Sequence, residues 1–212
     1  MTPDSKQPLK IAAKLLLAWI VLSALGYFYG QHLIDLMLPL MRGFAQNITD
    51  DFYINLAWQE ENSRMLMIEA NFGIPKMSIQ ALGINPGATV SAGTNIEHIL
   101  VPLILLFLLV LCWPLTTLKQ RGLLLLLSLP AALITLLMTT PFLLVGKVES
   151  LLQEQASAMR VVREKPAYLD WMLFTEVGGR WLLPISLGLL CVWLLNAFFI
   201  GQAADKEREA TK

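Results

Sequence analysis

Residues 99–145 read ILVPLILLFLLVLCWPLTTLKQRGLLLLLSLPAALITLLMTTPFLLV. Two apolar runs, Ile99 to Leu118 and Gly122 to Val145, flank Lys119-Gln120-Arg121. At about 1.5 Å per residue, each run is long enough to cross a hydrocarbon core about 30 Å thick. The pattern predicts a transmembrane hairpin. Short loops carrying Lys and Arg stay on the cytoplasmic side, so Lys119 and Arg121 orient the whole chain.

Two further apolar stretches, Leu15 to Tyr29 and Trp181 to Ile200, bring the expected spans to four, the first needing help from its flanks. A chain of 212 residues that is 56% hydrophobic and 15% charged, with mean hydropathy +0.59, does not have the composition of a soluble domain. The zero net charge conceals a sorted distribution. With four spans and both termini inside, Lys6, Lys10, Lys14, Lys119, Arg121, Lys206, Arg208 and Lys212 fall on the inner side. Asp4, Asp205, Glu207 and Glu209 oppose them, and the outer segments carry the remaining acidic excess. The basic start and the apolar run after it read as a retained signal anchor, since the small-residue site near Ser23-Ala24 is poor and the apolar pattern continues to Phe44. Cys112 and Cys191 both fall in spans and act as small apolar residues.

Outside the spans the periodicity changes. Leu33, Leu36, Met37, Leu40, Met41, Phe44 and Ile48 recur at helical spacing and predict an amphipathic helix over 31–48, bent at Pro39. Phe52, Ile54, Leu56 and Trp58 then alternate with polar residues, as do Leu66, Ile68, Ala70 and Phe72 after a turn at Glu60 to Ser63. Met77, Ile79 and Ala81 predict a third strand, Gly83 to Gly87 a turn, and Ala88 to Ala92 an edge strand. So small a sheet has to bury one face, and the helix at 31–48 is the nearest cover. Val148, Leu151, Leu152, Met159 and Val162 predict a second amphipathic helix with Glu149, Glu154, Arg160 and Arg163 facing water, ended by Pro166. Tyr168 to Phe174 and Trp181 read as an interfacial aromatic belt, and the polar tail from Ala203 as disordered or as frayed helix.

The expected fold class is therefore a membrane α-helical protein, with four transmembrane helices and a small extracytoplasmic antiparallel β insertion of α+β type. Residues 1–30 form the cytoplasmic N-terminus and first span, and 31–97 the outer helix and meander. Residues 98–145 form the hairpin, 146–180 an outer amphipathic or interfacial segment, and 181–212 the last span and cytoplasmic tail. The localisation that follows is a membrane with both termini on its cytoplasmic side; that it is a bacterial inner membrane is what the family resemblance given below implies.

Chemistry is sparse. The spans hold no ionisable group, which an intramembrane relay or carrier requires, and their Ser and Thr hydroxyls can bond to their own helix carbonyls. Neither GxSxG, HExxH, a P-loop nor CxxC occurs. His32 and His98 both stand at the outer edge of a span, beside Asp35 and Glu97, so a shared acid, base or metal site is one reading and simple interfacial placement the other. Gly178-Gly179-Arg180-Trp181 lets the backbone turn ahead of the last span, with Arg180 positioned to pair with Glu176 or a lipid phosphate. Met65, Met67 and Met77 suggest a soft contact face for a partner, or packing against the helix at 31–48. The candidate interface residues are thus Met65, Met67, Met77, Glu97, His98, Glu176, Arg180 and Trp181. No catalytic set, cofactor or metal is expected, and the partners are membrane lipids and a membrane protein, with no nucleic acid.

The order of features resembles the exosortase H-associated family of small membrane proteins. The resemblance rests on Thr94-Asn95-Ile96-Glu97-His98-Ile99-Leu100-Val101-Pro102, on Gly179-Arg180-Trp181-Leu182-Leu183-Pro184, and on the basic start and the outer strands. It implies a non-catalytic partner of a polytopic, cysteine transpeptidase-like protease that sorts C-terminally tagged proteins. Exosortases carry Cys, Arg and His at the outer face, and this chain has no Cys there. The alternative is a protein that binds a lipid or glycan carrier through Arg160, Arg163, Lys165 and Arg180. An enzyme built on Glu97, His98 and His32 is the least favoured.

Overall fold

The computed structural model describes residues 7–59, 64–73, 77–115 and 117–210, with the side chains of 7–11, 77–78 and 199–210 excepted. The expected turn at Glu60 to Ser63, the breaker Ile74-Pro75 and the Met77 side chain lie outside the described residues. The chain is mostly helical: α1 is Gln7–Gln46, α2 Met77–Gln80, α3 Ile96–Cys112, α4 Leu118–Ala158, α5 Ala167–Phe174 and α6 Arg180–Ala210. One antiparallel sheet, in the order β1 (Tyr53–Trp58), β2 (Met65–Asn71), β3 (Thr89–Asn95), lies between α1 and α3 in the sequence. Three helical runs, Ala12–Gln46, Leu118–Ala158 and Ala167–Phe198, are long and apolar enough to cross a membrane. The apolar α3, at 17 residues, is shorter than the 20-residue span expected there.

That difference comes from Trp113-Pro114, since a proline disfavours helix at the residue before it. The connection is consequently 113–117, and Lys119 and Arg121 stand exposed on the first turn of α4 rather than in the loop between spans. The amphipathic helix expected at 31–48 is not separate either, because α1 runs on through Pro39. Likewise α4 continues past Val145 into the segment expected to form its own helix, while α6 carries the polar tail to Ala210 as helix, one of the two states expected of it. Tyr168 to Phe174, expected to be a surface belt, forms α5 and joins α6 through a π-helical turn at Thr175–Gly179.

The contacts divide the chain into two units. The first comprises residues up to Leu25, Pro102–Thr135 and the chain from Trp181. Its core is Leu106 and Val110 of α3, Leu124 and Ala131 of α4, and Cys191, Val192 and Leu195 of α6. Gly188 lets Leu106 and Leu109 come close to α6, and the Cys191 thiol faces the Leu127 carbonyl at 3.5 Å. The Ser128 and Thr135 hydroxyls bond to Leu125 O and Ala131 O one turn back, which removes their cost in an apolar setting.

The second unit comprises Gly26–Val101 and Leu136–Arg180. The strand alternation holds for β1 and β2: Phe52, Ile54, Leu56, Leu66, Ile68, Ala70 and Phe72 are all buried. Tyr53 pairs with Asn71 through to Trp58 with Leu66, and β2 pairs with β3 from Met65 opposite Asn95 to Asn71 opposite Thr89. The expected third strand at Met77 to Ala81 is instead a helical turn. Ile79 and Leu82, three residues apart, are both buried, and Gly83 at φ +68° ends the turn. The sheet therefore has three strands, and its last one is longer than the Ala88 to Ala92 expected.

Side chains from two helices hold the sheet edges. From α1, Arg42 donates to Leu56 O at 3.0 Å, while Gln46 donates to Phe52 O and accepts from Ile54 N. From α4, Lys147 donates to Gly93 O at 2.9 Å. Unpaired strand groups are thereby satisfied, which is how native sheets avoid edge association. The buried stripe of α1 is Gly30, Ile34, Met41 and Ala45, offset from the expected one, since Leu33, Leu36 and Leu40 are exposed. On α4 it is Leu144, Val145, Val148, Leu152 and Ala156. Each large apolar side chain so buried contributes about 1.5–3 kcal/mol. Rings of Phe44, Phe142, Trp171 and Phe174 follow one another at centroid spacings of 5.9, 6.0 and 5.2 Å, linking α1, α4 and α5.

Candidate functional site

β3 passes into α3 with no residue between Asn95 and Ile96, and Ile96 N bonds to Arg64 O at 2.8 Å. This fixes Glu97 and His98 on the first turn of α3. Glu97 Oε1 accepts from Arg64 Nε and Nη2 at 2.9 and 2.7 Å, and the Arg64 guanidinium lies 4.4 Å from the centre of the Tyr27 ring. Partial burial alone would raise the Glu97 pKa, but its own helix-start N–H and Arg64 outweigh that and hold it below the ordinary carboxylate value.

Arg180 arrives from the other direction. The π-helical turn is broken at Gly178, whose backbone is extended, and a Cβ at Gly179 would overlap the Phe174 ring. Gly179 thus lets the chain fold tightly against Phe174 just before Arg180. Arg180 Nη1 lies 2.8 Å from His98 Nδ1 rather than on Glu176, one of the two partners the sequence offered, the other being a lipid phosphate; since a guanidinium only donates, Nδ1 is assigned as the acceptor. His98, Thr139, Thr140, Thr175, Glu176 and Arg180 line a small cavity of about 20 Å³. Among the described residues, Thr140 Oγ1 and Arg180 Nε are buried with no hydrogen-bond partner. Of the candidate interface residues, the structure brings together His98, Glu176 and Arg180, with Glu97 adjacent but occupied by Arg64. Trp181 is exposed.

A second constellation was hidden from the sequence. Glu149, assigned to water, is 0% exposed. Arg163, also assigned to water, has a buried side chain and grips Glu149 with Nε at 2.7 Å and Nη2 at 2.6 Å, reaching Asp51 at 3.1 Å. Tyr168 OH and Gln153 Nε2 donate to the same carboxylate at 3.1 and 2.8 Å. The bond to Glu149 raises the Arg163 pKa beyond even the usual arginine value, so the guanidinium stays charged. A cleft of about 460 Å³, lined by Thr49, Asp50, Asp51, Arg163, Lys165 and Tyr168 among others, opens beside it. The signal was available: Glu149 lies on the same helical stripe as Val145, Leu152 and Ala156. A carboxylate on an apolar stripe calls for a cationic partner. Arg160 and Glu154 do face water.

The remaining candidates do not converge. Met65 and Met67 are half-buried on the sheet face opposite Leu66 and Ile68, where a Cβ at Gly93 would overlap Met67 Sδ. They lie beside Gly93 of β3, on the face away from the buried Leu66 and Ile68. Asp35 accepts from Trp58 Nε1 at 2.6 Å, and His32 is exposed. Among the described residues no group of three or more His, Cys, Asp or Glu is placed to hold a metal ion. Compared with known proteins, the chain matches no family model, no curated protein and no solved structure.

Proposed function

We propose that this chain is a non-catalytic accessory protein of a bacterial inner membrane that docks on a membrane-protein partner. One observation carries the reading. α1 has 40 residues, about 60 Å at 1.5 Å each, twice the hydrocarbon thickness. With about 20 residues from Leu15 in lipid, the span ends near Ile34, and the exposed Leu36 and Leu40 stand beyond the hydrocarbon, on the helix whose other side is buried in the α+β unit. An apolar stripe in that position needs a protein cover. Four crossings, by α1, α3, α4 and α6, put both termini on the cytoplasmic side with Lys119 and Arg121, and the sheet outside. The resemblance of Thr94 to Pro102 and Gly179 to Pro184 points to an exosortase-type sorting protease as the partner.

The polar side chains support a binding role over chemistry. Glu97 is held by Arg64, Glu149 by Arg163, Asp170 by Lys165 and Asp35 by Trp58, so these carboxylates are committed to structure. A photo-crosslinker at Leu36 or Leu40, in native membranes, is expected to capture the exosortase-type protease, which should also co-purify with the tagged chain. Crosslinks from both positions to lipid alone refute the reading. The lipid or carrier-binding alternative loses Arg163 and Lys165 to their ion pairs, and retains Arg160 and Arg180.

A further inference from the structure

We propose that the cavity between the first turn of α3, the middle of α4 and the α5–α6 junction is an anion site that takes an oxygen of a phosphate group, presented by a membrane lipid. This deepens the membrane reading above and rests on it. Two observations converge. Thr140 is 1% exposed, its hydroxyl is unpartnered, and it lines the cavity. The Arg180 Nε–H is likewise buried and unpartnered there, while its Nη1 is engaged by His98. Two buried donors without an acceptor, the Thr140 hydroxyl and the Arg180 Nε–H, thus belong to residues that line the cavity, together with the Glu176 carboxylate. A buried hydroxyl and a buried guanidinium N–H without acceptors carry an unrepaid desolvation cost, which an anionic oxygen relieves.

The charge balance also favours an anion. Glu97 is neutralised by Arg64, the first turn of α3 carries the positive end of its helix dipole, and Arg180 adds a full positive charge. The opposing group lining the cavity is Glu176, which is exposed. A volume of about 20 Å³ admits one oxygen and not a whole phosphate, so the rest of the group stays at the rim. His98 immediately precedes the apolar run from Ile99, and Arg180 the one from Trp181. In the membrane reading both stand at headgroup depth, where a phosphate monoester or diester is abundant and its acyl chains can lie along the apolar helices.

The test uses the purified full chain in dodecyl maltoside, with native mass spectrometry and tryptophan fluorescence as readouts. The probes are dioleoyl phosphatidic acid, dioleoyl phosphatidylglycerol, dioleoylglycerol and inorganic phosphate. Expected are adducts with both phospholipids and none with dioleoylglycerol, which lacks the phosphate. Thr140→Val and Arg180→Gln should each weaken phosphatidic acid binding at least 10-fold. Thr140→Ser should restore it, and Lys165→Gln, which removes a cation elsewhere, should leave it unchanged. Glu176→Gln should tighten it. Competition by inorganic phosphate at millimolar concentration would identify the free ion as a ligand too; its failure to compete assigns the site to lipid. Equal binding of dioleoylglycerol and phosphatidic acid overturns the proposal, as does wild-type affinity in both Thr140→Val and Arg180→Gln. Co-purification with a protease is independent of these measurements, so a failed docking role and a failed anion site are distinguishable.

Discussion

Glu149 shows what one buried charge demands. Its carboxylate receives two bonds from Arg163, one from Tyr168 and one from Gln153, and Gln153 also reaches Glu164 O, so the network ties the end of α4 to the segment that follows. Removing one partner leaves an uncompensated buried ion. Arg163→Met should therefore destabilise the chain by about 3–5 kcal/mol, measured by chemical unfolding in detergent, whereas the double change Glu149→Leu with Arg163→Met should cost clearly less. The bend that brings Arg163 back is made by Arg160, at φ +56°. Arg160 N bonds to Ser157 O and Val161 N to Ala156 O, the arrangement of a Schellman cap, in which glycine is the usual residue. Arg160→Gly should raise stability by about 1 kcal/mol in the same assay.

At the scale of elements, close approach is set by small residues. A Cβ at Gly146 would meet Met172, so the contact of α4 with α5 depends on that glycine. Gly146→Val should cost about 1–3 kcal/mol through overpacking, and Met172→Ala in the same chain should recover part of it, read as a shift in melting temperature. β1 and β2 were legible in the sequence because seven core residues alternate on one face, a period no helix shares. Met77 to Ala81 was not, since three alternating residues are too few to separate a strand from the Ile79 and Leu82 pairing of a helical turn. A bend was expected at Pro39 and the end of a span at Val145, yet α1 and α4 each continue through these positions with one side packed. His98 and Arg180 were each singled out by their place beside an apolar run. Their contact across 82 residues follows from the tertiary packing, and nothing local to either segment encodes it.

Taken as one molecule, the chain pairs apolar helices with a polar, cross-braced α+β unit. In the four-crossing reading, a cysteine at Lys119 in a chain freed of Cys112 and Cys191 should react with a membrane-impermeant maleimide only from the cytoplasmic side. A cysteine at Asp50 should react only from the other. Labelling of both positions from one side refutes that topology. Val162 and Val177, 97% and 89% exposed, mark further surface in the second unit that a partner is expected to cover, and crosslinkers there extend the docking map from α1.

The loopless passage from Asn95 to Ile96 makes the chain intolerant of changes in length at that point. Each residue added or lost there would turn the start of α3 by about 100° against the strand register. His98 would swing off Arg180, and Glu97 off Arg64, in a single step. The junction works as a keyed shaft, and a one-alanine insertion between the two residues should uncouple both pairs at once while leaving the composition of either element untouched.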